Sequence, residues 1–300
     1  NATTYMNGEI DVKSNSWGPG DDGADLSAPE PLMRAALETS VRTGRGGRGV
    51  VFTWAAGNGG DLDDNSNYDG YANTPWVLAI GAANSQGRQS WYSEDGANLV
   101  VAAPSSDLGY EGMWTTDRSG DNGYNYAGGE PTEPGDRAYT SGFGGTSAAT
   151  PVAAGVCALL LDVNTNLAWR DVREILLRSA QRNHSNDADW STNGAGFAFN
   201  HKYGAGLIHA SGAVTLATGW TNLAVQTNVT GLISNLAVAV PDNNFTGTNV
   251  SLDLGNSNLR VESALLHVGI SSPFRGDLDI RLVSPSGMTS ILAERHGDAN

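Results

Sequence analysis

Apolar residues along the first 217 positions come in short runs separated by polar, glycine-rich stretches. Val50 to Ala56 is a nearly unbroken apolar run of strand length, and Trp76 to Ala82 and Leu99 to Ala103 repeat it. Glu30 to Arg42 has a different period. Leu32, Met33, Ala36, Leu37 and Val41 fall on one helical face, with Pro31 at the first position and Gly44 just past the end. Ala168 to Ala180 repeats that pattern through Val172, Ile175, Leu176 and Ser179, while the small apolar residues from Val152 to Leu161 predict a helix hidden inside a core. Strands alternating with helices predict an α/β fold, a mostly parallel sheet with helices on both faces.

The texture changes at about Thr218. Asn, Thr, Ser and Gly become dense, and Leu278, Ile280 and Leu282 alternate before the turn Ser284-Pro285-Ser286-Gly287. The expectation is therefore two domains, 1–217 and 218–300, the second all-β. Positions 218–300 are short for a sandwich of two full sheets, so a truncated sandwich or jelly roll is expected.

Composition narrows the function. The 300 residues are 39% hydrophobic, enough for a large core, and carry 17 basic against 32 acidic side chains, a formal charge of −15. That balance argues against nucleic acid and favours a cationic partner or a secreted setting. The lone Cys157 falls in the apolar run and reads as a core residue. No apolar run approaches membrane-span length. Gly44, Gly46 and Gly49 match a dinucleotide fingerprint in spacing only, since they follow a helix and precede a strand. The Arg45–Gly49 segment is too small a basic patch for RNA, and the sequons at Asn228, Asn244 and Asn249 carry no weight in so Asn-rich a chain.

The candidate chemistry centres on Ser147. Glycines at 142, 144 and 145 precede it and the buried helix follows, so its hydroxyl lies at the positive helix end, where free backbone N–H groups stabilise developing negative charge. Read alone, Gly-Thr-Ser before a helix favours Thr146 or Ser147 as a helix cap. Asn58, in Trp54-Ala55-Ala56-Gly57-Asn58-Gly59-Gly60, follows a strand end, where its amide could serve an oxyanion or merely a turn.

Gly145-Thr146-Ser147-Ala148-Ala149-Thr150-Pro151 resembles the nucleophile signature of the subtilisin-like serine proteases. Asn15 to Gly23, Asp69-Gly70-Tyr71, Trp91 to Glu94, Asn166 to Asp171, Arg275 to Leu278 and Leu282 to Gly287 are similar to segments of the kexin and furin branch and its P domain. The resemblance implies a calcium-dependent serine endopeptidase that cuts after Arg or Lys through an acyl-enzyme. Ser147 would be the nucleophile and Asn58 the oxyanion donor. Asp21 and Asp69 would accept the basic side chain, and Asp21, Asp64 and Glu94 would ligate Ca²⁺. Trp17, Gly18, Pro19 and Ala55 would line the extended substrate, with Tyr71 at an outer subsite.

Asp61 and Asp63 match no position of the family and read as solvated loop carboxylates. Ser27 stands where eukaryotic members carry an outer-subsite acid, and Ser66 and Tyr68 where they carry a cysteine pair, which fits a bacterial relative. All five histidines (184, 201, 209, 267, 296) follow Ser147, with His201 and His209 reading as structural, so the catalytic Asp and His are expected upstream of a fragment that is itself inactive. The expected protein is a secreted, periplasmic or cell-surface monomer acting on basic protein or peptide substrates. A less selective protease and a non-catalytic secreted relative are the alternatives.

Overall fold

The computed structural model describes residues 2–129, 133–234, 236–244, 246–255 and 259–297. Its sheet is parallel. Strands β1 (Val12–Asn15), β2 (Val51–Ala55), β3 (Leu78–Ala83) and β4 (Leu99–Pro104) lie side by side in that order. The three inner apolar runs become β2 to β4, every residue buried except Pro104, as expected where both faces of a strand are covered. Sequence pattern assigns no strand at β1, because Val-Lys-Ser-Asn is half-exposed at the sheet edge. Lys13 there donates to the carbonyls of Thr3 and Tyr5 and to Asn7 Oδ1, tying the N-terminal turn to the edge.

Helix α1 (Pro31–Gly47) returns the chain from β1 to β2 and sends Leu37 and Val41 into the core. Regular geometry stops at Gly44, and Arg45 beyond it takes a left-handed φ of 51°. Its guanidinium is buried, bonded to Asp11 Oδ1 at 2.6 Å and to the carbonyls of Gly49 and Leu167. The glycine-rich segment is thus an internal staple. Helix α2 (Thr146–Val163) packs on all four strands, with α3 (Trp169–Ser179) and α4 (Ala210–Thr218) packed beside it. Cys157 is fully buried within it.

By length and composition alone α2 could cross a membrane, which corrects the expectation that no run is long enough. Half of it is buried against the sheet, the position of a core helix. The antiparallel hairpin β5 (Met113–Thr116) and β6 (Tyr139–Phe143), and the two-residue pair β7 (Ser191–Thr192) and β8 (Ala198–Phe199), complete this region.

The chain divides into two compact units, one of residues 1–222 with 270–300 and one of residues 223–269. Among its described residues the second unit has no helix or strand. In the first unit, β9 (Ile280–Val283) and β10 (Thr289–Ala293) pair antiparallel across the expected turn at Ser284 to Gly287.

This hairpin docks on the segment Asn65 to Tyr68. Tyr68 Oη accepts from the Glu294 amide at 3.0 Å and donates to its carbonyl at 2.9 Å, Asn65 Nδ2 donates to Glu294 Oε1, and His201 Nε2 accepts from the Ile291 amide at 3.0 Å. Burial raises the Tyr68 hydroxyl to about 12, so it remains a donor throughout the neutral range. Tyr68→Phe should cost about 1–3 kcal/mol, the range for leaving buried partners unsatisfied, as read by denaturant midpoint. Amide exchange should accelerate at Ile291 and Glu294 and not in β3; unchanged protection there would show that the hydroxyl does not hold the hairpin.

Candidate active site

Strands β1, β2 and β4 deliver three loops to the carboxyl edge of the sheet, where open parallel sheets receive ligands. The α2 N-terminus meets all three. The Thr146 amide donates to Asn58 Oδ1 at 2.8 Å and the Thr146 hydroxyl to the same atom at 3.0 Å. Beyond β4, Ser105 Oγ donates to the Gly145 carbonyl at 2.7 Å, and Tyr92 Oη accepts from the Gly145 amide at 3.1 Å. The tie to the β1 loop comes from Pro151, which lies inside the helix and has no N–H for the carbonyl four residues back, that of Ser147. Ser16 Oγ takes that carbonyl instead, at 3.0 Å.

Ser147 is the second residue of α2, half-buried, and its hydroxyl makes no hydrogen bond among the described residues. Gly145 holds the cap position and no side chain caps the helix, so neither Thr146 nor Ser147 is an N-cap. The Ser147 amide also has no acceptor among the described residues. Because Asn58 Oδ1 is taken twice by Thr146, Asn58 Nδ2 is turned outward, where it donates to Asp21 Oδ2 at 3.2 Å. Sequence pattern assigns no role to Ser16, Tyr92 or Ser105, although Ser16 and Tyr92 lie within the Asn15–Gly23 and Trp91–Glu94 segments.

The structure brings the expected acids together. Asp69 is buried, its Oδ2 2.8 Å from where a Cβ on Gly18 would stand, and its Oδ1 accepts from the Tyr71 amide. Trp17, Trp54 and Tyr71 pack as an aromatic trio beside it, with ring centroids 4.8–5.6 Å apart and Trp54 Nε1 bonded to the Trp17 carbonyl. Trp17 is 48% exposed, so the trio opens to solvent. Pro19 is half-buried and Ala55 buried at the end of β2. Ser27 forms a parallel bridge with Asp69 and carries no charge to that edge.

Beneath them Glu94 is 2% exposed and packs where any side chain on Gly57 would stand, its Oε1 accepting from the Gly59 amide at 3.0 Å. Asp64 is buried on the other side of Gly59 and accepts from the Asn65 amide. Asp61 and Asp63 are exposed. Burial, then repulsion from Asp64, Asp21 and Asp69, pushes the Glu94 carboxyl up to about 9; burial raises Asp69 to about 6, and burial raises Asp64 as well. All the groups that shift Glu94 by charge are acids.

Buried carboxylates of one sign with no basic partner are the donor chemistry of a hard divalent cation. Of the three expected ligands Asp64 and Glu94 are buried and Asp21 is exposed, and their carboxylate oxygens are of the donor type that Ca²⁺ takes. Among the described residues, however, no three acidic, His or Cys side chains are gathered into a coordination shell.

The four histidines of the first unit are engaged away from Ser147. His184 faces Tyr203 and Asp187, His201 pairs with Asp189, His209 meets Ser211, and His296 packs on Tyr68.

A sequence model of the subtilase family matches residues 1–206, and one of the proprotein convertase P-domain matches residues 261–300. The chain belongs to the subtilase family. It is 38% identical to human proprotein convertase subtilisin/kexin type 7 over 288 residues, which cover 94% of this chain and 35% of that protein. It is 37% identical to bovine furin over 293 residues, covering 96% and 35%. The chain thus spans about a third of the length of these relatives. The crystal structure of the serine protease of Aeromonas sobria superimposes with a TM-score of 0.78 at 26% identity, covering 95% of this chain and 56% of that one.

The acids set a pH dependence. Their raised values in the fold mean that the folded state holds protons more tightly than the unfolded chain, so stability is greatest at low pH and declines as pH climbs through the window from 4.5 to about 9 for Glu94 and from 3.8 to about 6 for Asp69. With divalent cations chelated, the thermal midpoint should fall across that range, and Glu94→Gln should flatten the alkaline part. A midpoint that rises with pH in chelator would contradict the electrostatic account.

Proposed function

We propose that this chain carries the nucleophile, oxyanion and specificity side of a serine endopeptidase of the proprotein convertase type, cutting after Arg or Lys. The observation that carries the reading is the double hydrogen bond from Thr146 to Asn58 Oδ1, which ties the Asn58 amide to the start of α2 and directs its Nδ2, with one donation to Asp21, away from that tie; Nδ2 and the Ser147 amide, unpartnered among the described residues, are the proposed oxyanion donors. Ser147 Oγ attacks the carbonyl carbon of the scissile bond. The negative charge that forms on the carbonyl oxygen meets those two donors at the positive end of α2. A histidine and its orienting aspartate, supplied by chain outside residues 1–300, take the Ser147 proton and deliver it to the leaving amine.

The residue preceding the cut has its basic side chain between Trp17–Gly18–Pro19 and Ala55, directed at Asp69 and Asp21, with Tyr71 at an outer subsite. A guanidinium suits this site because its planar fork of donors matches carboxylate oxygens, here those of buried Asp69 and exposed Asp21. Asp21, Asp64 and Glu94 would hold calcium, whose positive charge would favour an ionised Asp69 beside them. Residues 1–217 form the peptidase part and 218–300 the beginning of the P domain. Protein or peptide substrates with basic residues and a monomeric state in a secreted, periplasmic or cell-surface location complete the reading.

In the full-length protein, Ser147→Ala should abolish cleavage of Arg-ending peptides, and Asn58→Ala should lower kcat about 10²–10³-fold with little change in KM. Full activity of the Ser147 variant would end the assignment. In a peptide library, an apolar preference at the cut would leave the acids to the cation alone. Chelation should lower both activity and thermal midpoint, with calcium restoring them.

A further inference from the structure

Four Asn-Gly pairs occur in the chain, at Asn7, Asn58, Asn122 and Asn193. This dipeptide deamidates most readily because glycine puts no Cβ in the path of its own amide nitrogen as it turns on the preceding side chain. The glycine nitrogen attacks Cγ of asparagine and gives its proton to a solvent base. The Cγ–Nδ2 bond breaks, ammonia leaves with a proton taken up from water, and the five-membered succinimide is hydrolysed to aspartate or isoaspartate. Nothing is oxidised or reduced.

The folded chain treats the four pairs differently. Asn122 is exposed, and its side chain makes no hydrogen bond among the described residues. Asn7 is held by Ser40 and Lys13, and Asn193 accepts from the amides of Ala195 and Phe197. At Asn58 every group the reaction requires is engaged. The attacking atom, Gly59 N, donates to Glu94 Oε1 at 3.0 Å. The carbonyl oxygen is pinned twice by Thr146, and the leaving nitrogen donates to Asp21. Cyclisation needs Gly59 N to leave Glu94 and the amide plane to swing off Thr146.

We infer that Asn58–Gly59 is a latent deamidation site held shut by the folded cleft, a chemical fuse placed in the oxyanion donor itself. Any loosening that separates Glu94 from Gly59 or α2 from Asn58 opens it, and the product bears a carboxylate where an N–H₂ stood. The chemistry depends only on the hydrogen bonds above; its consequence for catalysis rests on the oxyanion reading.

The test uses the full-length protein in a Ser147→Ala background, so that self-cleavage does not intrude. It is incubated at mildly alkaline pH and mapped by peptide mass spectrometry for the amide-to-acid mass gain. Asn58 should convert at least about ten-fold more slowly than Asn122 in the folded protein, the factor that breaking one or two net hydrogen bonds imposes. In urea the two rates should converge. Thr146→Val should raise the Asn58 rate several-fold with Asn122 unchanged, and Thr146→Ser should restore protection.

Equal rates in the folded Ser147→Ala protein, or no conversion of Asn58 in urea, would overturn the inference, and these arms hold whether or not the valine variant folds. A folded valine variant that leaves the Asn58 rate unchanged would overturn the clamp at Thr146. In the active background, Asn58→Asp should lower kcat about 10²–10³-fold. Full activity there would refute the oxyanion reading while leaving the deamidation rates standing.

Discussion

Asn58 Oδ1 accepts two hydrogen bonds from Thr146, and this junction between the β2 loop and the first turn of α2 orders the rest of the cleft. An amide whose oxygen is taken can only turn its nitrogen outward, so one side chain supplies both the anchor for the helix start and the outward donor. Gly145 occupies the cap position without a side-chain cap, and Asn58 Oδ1 takes the Thr146 amide of the first turn instead. Ser16 and Ser105 fasten the carbonyls on either side of Thr146 to the loops after β1 and β4. Ser147 therefore has its position decided by three strands that are far apart in sequence.

The acidic layer below is held by the same loop. Gly59 joins Glu94 through its amide and stands against Asp64, so acids that repel one another are kept close by a backbone segment that also carries Asn58. Self-repulsion in a buried site is stored unless a cation relieves it, which makes the cleft's order depend on charge as well as packing. On the opposite side, the β9–β10 hairpin grips Asn65 and Tyr68, residues flanked by Asp64 and Asp69. The hairpin thus holds the direct chain neighbours of Asp64 and Asp69.

Much of this was legible in the chain and the rest was not, for reasons that can be named. Buried parallel strands must be apolar on both faces, so β2, β3 and β4 announce themselves; β1, a half-exposed edge strand, does not. The β5–β6 hairpin was equally silent, since only Thr140 in it is buried and no apolar period develops. The apolar run that predicts α2 begins at Val152, yet the helix starts six residues earlier, at Thr146, and Ser16 satisfies the carbonyl that proline leaves free. That compensation is a contact between residues 131 apart, invisible to any local rule.

By itself the sequence determined the alternation of elements, the placement of Ser147 at a helix start and the identities of the acids, because these follow from period, composition and short motifs. Tertiary structure alone decided which way the Asn58 amide faces, that Ser147 is not a cap, that Arg45 is an internal staple rather than a surface charge, and that Glu94 is more deeply buried than Asp21, Asp64 or Asp69. Hydrogen-bond direction and burial depend on what folding brings alongside a residue. For these residues the partners come from distant parts of the chain, up to 131 positions away.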